Sequence, residues 1–228
     1  MPNEHLKDEP AKEKPENPIT ASAAGEKRGD KYQRILEAAV EVIAEHGFFN
    51  ARVADIAQRA GVADGTIYLY FKSKDQILMA AISNAFGAFL ELARAEVKSA
   101  SEPRDQLRRL ALLHLTSLGS NRNLAIVFQT ELRQSARFLE QFSKHRLIEY
   151  FDLIRAVVRD GQRAGVFRKE VSDKIAANCF FGALDEMVTS WMLSEREYPL
   201  AGAAEAVVDV ILRGMETRRG GPAKPQDR

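Results

Sequence analysis

An all-α fold is predicted for this 228-residue chain by three features of its sequence. Apolar residues recur at spacings of three and four through most of the chain, which gathers them on one side of a helix. No segment shows the strict alternation of a half-buried strand. Proline is nearly absent between residues 19 and 198, Pro103 being the exception, so long helices meet few of their commonest breakers. About nine helices are expected, three short ones in an N-terminal unit and longer ones in a larger C-terminal unit.

Residues 1–26 are rich in prolines, lysines and glutamates with almost nothing to bury, and a disordered tail is expected there. The first helix is expected from about Lys31 to His46, with Ile35, Ala38, Ala39, Val42 and Ile43 forming one buried stripe. Gly47 is the expected left-handed residue that stops it. The second helix, Val53 to Ala60, turns Val53, Ile56, Ala57 and Ala60 inward, and Gly61 marks its end. The third starts near Ala63 and can hardly pass Phe71, because "SKDQ" opens the fourth as a capping box. There the Ser73 hydroxyl can accept from the Gln76 amide while the Gln76 side chain reaches back.

The fourth helix is expected to run to about Ser99, and Pro103 in "SEPRDQ" suits a first helical turn. Further helices are expected near 104–118, 123–136, 138–164, 172–194 and 200–217, with no internal repeat. The domain reading is therefore a tail over 1–26, a small helical domain over 27–76, a larger one over 77–217 and a flexible tail over 218–228.

Hydrophobic residues make up 45% of the chain and charged residues 29%, an ordinary balance for a soluble protein. The net charge of +1 gives no global sign of nucleic acid or membrane, so any basic surface must come from arrangement. Cys179 is the one cysteine, which excludes an intramolecular disulfide and a multi-cysteine metal site. Within "NCFFGAL" it is expected to be a small buried hydrophobe. No apolar run reaches the roughly 18 residues of a membrane span, and the N-terminus lacks the apolar centre of a signal peptide. A cytoplasmic protein without a membrane partner is expected. His5, His46, His114 and His145 are too widely spaced to suggest a metal site, and no nucleophile–base signature or phosphate-binding glycine loop is present. Catalysis is not expected, nor is a cofactor.

The stretch "AGVADGTIYLYFKSKDQIL", Ala60 to Leu78, is the most informative. Two short helices joined around Gly61 and Val62 make a helix-turn-helix, whose second helix presents its first residues to the DNA major groove. Val62, Ile67 and Phe71 share a face that can close a small core with Ile56 and Ile43. Ala63, Asp64, Gly65, Thr66, Tyr68, Leu69 and Tyr70 are left facing out or sideways. Gly65 removes a side chain where the groove wall comes close, and Thr66 can bond a phosphate or a base edge. Tyrosine hydroxyls suit phosphate oxygens, and Lys74 adds a charge at the start of the next helix. From Lys27 to Leu78 there are eight Lys or Arg against seven Asp or Glu. Glu37, Glu41 and Glu45 can face away on the first helix, leaving Lys27, Arg28, Arg52, Lys72 and Lys74 as candidate DNA-facing cations.

"ILEAAVEVIAEHGFFNARVADIAQRAGVADGTIYLYFKSKDQIL" resembles the DNA-binding region of the TetR family of bacterial repressors, without a gap from the first helix into the fourth. The specific parts are "IA…AGV" and "GTIYLYFKSKD". The resemblance implies a three-helix DNA-binding domain, a helical ligand domain, and a homodimer on a palindromic operator in the bacterial nucleoid. Arg52 departs from the pattern, standing where the family often has a threonine that caps the second helix. Asn50 or water must then cap, and the arginine is free to approach a phosphate.

"NLAIVFQTELRQS" and "FFGALDEMVTSWMLSEREYPL" are similar to the branch of that family that controls fatty-acid degradation, the FadR regulators of Gram-positive bacteria and Thermus. That resemblance implies a repressor of β-oxidation genes, released from DNA by a long-chain acyl-CoA. Such an effector needs a long dry tunnel, polar groups for the thioester and cations for phosphates. Leu124, Phe128 and Leu132 form an apolar stripe with Gln129 and Arg133 beside it. Cys179, Phe180, Ala183, Leu184, Met187, Val188 and Trp191, with Phe181, supply further apolar surface, although ordinary core is the plainer account of such stripes. Asp185 and Glu186 interrupt that surface, and a buried carboxylate needs a partner such as Arg133 or Arg137. Arg122, Asn123 and Arg133 are the candidates for the phosphates or pantetheine.

The last two helices are expected to pair two subunits, since Ala203, Ala206, Val207, Val210, Ile211 and Gly214 make an apolar face too wide for a lone terminal helix. A repressor with another hydrophobic inducer (a drug, sterol or free fatty acid) and a helical scaffold that borrows the reading head are the alternative readings.

Overall fold

The structure, a computed structural model, describes residues 18–132, 136–142, 146–196 and 198–216, with side chains from residue 29 on except those of 137, 139 and 141. The C-terminal segment expected to be flexible, most of the expected N-terminal tail and Arg133 lie outside the described residues. In chain order the helices are α1 (Pro18–Asn50), α2 (Val53–Ala60), α3 (Asp64–Tyr68), α4 (Lys74–Ser99), α5 (Pro103–Gly119), α6 (Arg122–Ile126), α7 (Ala136–Phe142), α8 (Ile148–Arg163), α9 (Asp173–Leu193) and α10 (Ala204–Met215). A π-helical segment, Val127–Glu131, prolongs α6, and a 3-10 turn, Leu200–Ala203, leads into α10. The described residues form no strand, and an isolated bridge joins Phe167 to Glu216.

The head is built as its residues dictate. Ile43, Ile56, Ile67 and Phe71 are buried together with Val62 packed against them. Gly61 closes α2 in the left-handed region (φ 65°, ψ 39°), and the amides of Gly61 and Val62 reach the carbonyls of Gln58 and Ala57 at 3.1 and 3.0 Å. Ser73 caps α4 by accepting from the Gln76 amide at 3.2 Å. The Gln76 side chain reaches back to the amide of Lys72 at 2.8 Å.

Four expectations on elements need correction. α1 starts at Pro18 rather than near Lys31, so helix replaces the last part of the expected tail. Proline suits a first helical position, and the alanines that follow propagate the helix without needing a core. At Gly47 (φ 73°, ψ 156°) the helix breaks as expected, but one more turn follows to Asn50. The helix expected over 138–164 is two, α7 and α8. Phe138 meets Phe48 of α1 edge-on at 5.3 Å and Phe142 meets Phe86 at 4.9 Å, whereas Tyr150, Ile154 and Val157 of α8 are buried within the bundle. One straight helix cannot aim both sets at their different neighbours. The segment expected as one α-helix over 123–136 widens into the π turn after Ile126.

α4 joins the two parts. Its 26 residues span about 39 Å at the helical rise, burying Ile77, Leu78 and Ile82 near the start and Phe86, Leu90 and Ala93 further along. Among the described residues it is the helix long and apolar enough to cross a bilayer, and 44% of that apolar stretch is buried, with α1, α5 and α8 packed on the helix. α5 is the centre of the larger part, packing on α4, α8, α9 and α10 through Leu107, Leu110, Ala111 and Leu115, all fully buried. Cys179 is exposed, contrary to expectation, because it lies on the outer face of α9 with Ile175 and Gly182.

Candidate functional site

Two surfaces carry chemistry. On the head, Ala63 is the N-cap residue of α3, so Asp64, Gly65 and Thr66 form its first turn. Ala63, Asp64 and Gly65 are exposed and Thr66 is half-buried. Tyr68 and Leu69 project with 61% and 75% of their surface exposed. The three crowded aromatics divide their tasks. Phe71 stacks on Tyr32 with ring centres 5.3 Å apart, Tyr70 lies half-buried 6.0 Å from the same ring, and Tyr68 alone stands clear. At Gly65 an added Cβ meets nothing within 4 Å and the backbone is not left-handed, so the fold itself gives no reason for glycine.

The cations around α3 are unequal. Arg52 is exposed at the start of α2 and makes no cap bond. Asn50 does not cap α2 in its place, since its amide donates back to the His46 carbonyl at 3.1 Å. Lys72 is exposed. Lys74 is turned inward, its ammonium donating to the carbonyls of Ala51 (2.8 Å) and Phe49 (3.1 Å). Lys27 and Arg28 fall on α1, but their side chains lie outside the described residues. The acids of α1 are partly neutralised from within, because Arg59 of α2 binds Glu41 at 3.0 Å and Glu45 at 2.8 Å. The hydrogen bond from Arg59 holds the Glu45 carboxyl below the usual carboxylate range, and the two acids raise the guanidinium's own pKa.

The second surface is a cavity of about 130 Å³ in the larger part. α4 contributes Ala85, Phe86 and Phe89, and α5 contributes His114, Ser117 and Leu118. Leu124, Phe128, Gln129 and Leu132 come from α6 and its π extension, Phe142 and Leu147 from α7 and the entry to α8, Phe181 and Asp185 from α9. The wall is mainly aromatic and aliphatic. Within it Gln129 donates to Asp185 at 2.8 Å, and the Thr189 hydroxyl lies 3.3 Å from the Gln129 carbonyl oxygen. Gln129 is thus a partner of the carboxylate, a role expected of Arg133 or Arg137. Glu186 faces outward and bonds Ser190 at 3.2 Å. The His114 ring is buried, which lowers its pKa to about 4 against the opposing charge of Asp185.

Phe128, Gln129, Leu132, Phe181 and Asp185 therefore share the cavity wall. Leu184 and Val188 do not reach it, being fully buried on the side of α9 that meets the core. Nor do Arg122, Asn123 and Trp191. Arg122 donates to the Met192 carbonyl at 2.6 Å and lies 5.2 Å over the Trp191 ring, while Trp191 donates to the Tyr198 carbonyl at 3.0 Å. Asn123 is half-buried, and Asn121 caps α6, accepting from the Leu124 amide at 2.9 Å. Phe86, Phe89, Phe142 and His114 escaped sequence reasoning. The last leaves a trace in "LALLHLTSL", a lone imidazole in an apolar run.

A short exposed helix on a helix-turn-helix core, tied by one long helix to a bundle with an apolar cavity, defines a helix-turn-helix regulator of the ligand-responsive kind. Residues 35–81 match the family described as bacterial regulatory proteins, tetR family, and residues 82–214 match the C-terminal region of YsiA-like protein. The chain belongs to the tetR family of bacterial DNA-binding regulators. It is 36% identical to the fatty acid metabolism regulator protein of Bacillus subtilis, over 82% of this chain and 97% of that one. Two solved structures are similar to it, each spanning 80% of this chain and 98% of its own. They are the fatty acid degradation regulator FadR of Bacillus halodurans (37% identity, TM-score 0.74) and FadR of Bacillus subtilis in complex with stearoyl-CoA (36%, TM-score 0.76).

Proposed function

We propose that the protein represses genes of fatty-acid degradation and leaves its operator when a long-chain acyl-CoA enters the bundle. The observation that carries this reading is the apolar cavity walled by Phe86 and Phe89 of α4, the helix whose other end sits in the head. The relative solved with stearoyl-CoA supports the choice of ligand. In this reading residues 27–76 hold DNA and 77–217 hold ligand and partner subunit, with the protein at work on the cytoplasmic nucleoid and no catalytic step assigned.

At the head, Thr66, Tyr68 and Leu69 face the groove with Ala63, Asp64 and Gly65, while Arg52, Lys27 and Arg28 supply phosphate contacts. Glycine in a helix costs about 1 kcal/mol relative to alanine, and Gly65 has no packing reason to be there. A close approach of DNA supplies one. Arg122 and Asn123, with Arg133, serve the CoA phosphates; Arg122 has guanidinium donors beyond the one on Met192.

Two subunits pair through α9 and α10, where Ile175, Leu193 and Val210 are exposed in line with Cys179, Ala206 and Gly214. Paired heads then span the half-sites of a palindrome, roughly 34–36 Å apart. The ligand acts by population shift, favouring a spacing of heads that DNA does not accept. Two routes lead from cavity to head. One is α4 itself. The other is the π segment, which carries Phe128 and Gln129 in the wall and packs on α1, with Glu131 Oε1 3.6 Å from where a Cβ would stand at Gly47. A gel-shift titration tests the whole. Stearoyl-CoA is expected to dissolve the protein–operator complex, and a complex that persists at saturating ligand refutes the reading.

A further inference from the structure

One polar atom on a residue of the cavity wall has no hydrogen-bond partner among the described residues. His114 stands on α5 among rings, with Phe89, Tyr150 and Phe181 centred 6.0, 5.9 and 5.8 Å away. Its Nδ1 lies 3.4 Å from the Tyr150 hydroxyl. Burial raises the pKa of that phenol, so it keeps its proton. Phe86, Phe89 and Phe181 surround it, and among the described residues Nδ1 is the acceptor it can reach. Tyr150 therefore donates to Nδ1. A neutral imidazole carries a single N–H, which this bond places on Nε2. Nε2 is buried and meets no hydrogen-bond partner among the described residues. A buried donor without an acceptor destabilises the protein, whereas an apolar side chain of similar size would not.

The rest of the wall says what kind of acceptor is missing. Asp185 is a wall residue close enough to bias the titration of His114, so a second carboxylate at this depth meets repulsion. A neutral oxygen does not. Apart from His114, Ser117, Gln129 and Asp185, the rest of the wall is hydrocarbon, with Phe86, Phe128 and Phe142 packed on one another at 4.9 to 6.2 Å.

We propose that His114 Nε2–H donates to the thioester carbonyl oxygen of the bound acyl group, fixing the thioester beside α5 and leaving the alkyl chain among Phe86, Phe128 and Phe142. This rests on the acyl-CoA reading above and adds to it a residue that measures where the chain begins.

The test compares stearoyl-CoA with S-octadecyl-CoA, a thioether that lacks the carbonyl, on the full chain and on His114→Leu and His114→Gln. The wild type is expected to prefer the thioester about tenfold, the worth of one buried hydrogen bond. His114→Leu is expected to bind both ligands alike, and His114→Gln, which still presents an N–H donor, to recover part of the preference. A wild-type ratio near one, or an unchanged ratio in His114→Leu, overturns the proposal while leaving the acyl-CoA reading intact. Binding of neither ligand overturns both. Stearic acid binding as tightly as stearoyl-CoA, and by the same dependence on His114, overturns the choice of thioester. If His114→Leu does not fold, the ratios of wild type and His114→Gln decide.

Discussion

The ammonium of Lys74 donates to the carbonyl of Ala51 at 2.8 Å, so the first residue of α4 clasps the chain where α1 ends and α2 is about to begin. A second bond goes to Phe49 at 3.1 Å, and the charge lies 4.7 Å from the centre of the Phe48 ring. The lysine thus closes the joint between head and connecting helix, with one donor left for a phosphate. Hydrogen bonds to a charged group contribute roughly 1.5–3 kcal/mol, and partial exposure reduces this one. Lys74→Met is therefore expected to lower unfolding stability by about 1 kcal/mol in urea titration. Its effect on the salt slope of operator binding is expected to be smaller than that of Arg52→Gln. A Lys74 variant with unchanged stability and a salt slope reduced by about one would make it chiefly a phosphate contact.

Gly65 separates folding from binding. With nothing near its Cβ position and no positive φ, Gly65→Ala is expected to stabilise the head by about 0.5–1 kcal/mol. The same methyl group stands where the groove wall approaches, so operator affinity is expected to fall. Thermal unfolding together with a gel shift reads both. A variant that is more stable and binds as tightly as wild type removes Gly65 from the DNA surface.

His114 makes stability depend on pH with a definite sign. Its folded pKa is about 4, below the ordinary 6.5, so the unfolded chain takes up the proton first as pH falls. The folded state is then penalised progressively between pH 6.5 and 4, by about 3 kcal/mol across the window, and by nothing further below it. Denaturant titrations at pH 7 and pH 5 are expected to show a larger loss in wild type than in His114→Leu. Equal losses would mean that the ring is hydrated or paired.

The head was legible in the sequence because local rules suffice for it. Gly61 needs only its φ, Ser73 and Gln76 only their own turn, and Ile56, Ile67 and Phe71 only the period of a helix. The cavity was half legible, since Phe128, Leu132 and Gln129 share one helical stripe that could be read. Which apolar residues line a hollow and which fill the core depends on packing between helices distant in sequence. Leu184 and Phe181 look alike along the chain, yet the first is core and the second is wall. The division of 138–164 falls at residues 143–147, "SKHRL", where no glycine or proline betrays it. Arg122 and Lys74 were read as free cations because their acceptors, the carbonyls of Met192 and Ala51, carry no side-chain signal.

The outer face of α9 and α10 offers a test of assembly. Val210 is 72% exposed on α10, in line with Ala206 and Gly214, all small enough for close helix contact. Val210→Glu places a charge there that a paired subunit would have to bury. Sedimentation is expected to show a monomer, with operator binding weakened far more than contact with one half-site explains. A dimeric Val210→Glu protein moves the interface elsewhere.

Filling the cavity is expected to separate the two activities. Ala85 lies in the wall on α4, one residue from Phe86 and well clear of the head contacts made by Lys74. Ala85→Phe puts a ring into space otherwise open to hydrocarbon, at an overpacking cost of typically 1–3 kcal/mol. The variant is expected to hold its operator like wild type and to stay bound when stearoyl-CoA is added. In wild type, each two-carbon lengthening of the acyl-CoA is expected to lower the releasing concentration, by up to about tenfold, because each buried methylene contributes about 0.8 kcal/mol. In Ala85→Phe that series is expected to stop at a shorter chain, since the ring occupies the room the last methylenes would take. An identical dependence on chain length in both proteins would place the hydrocarbon outside this cavity.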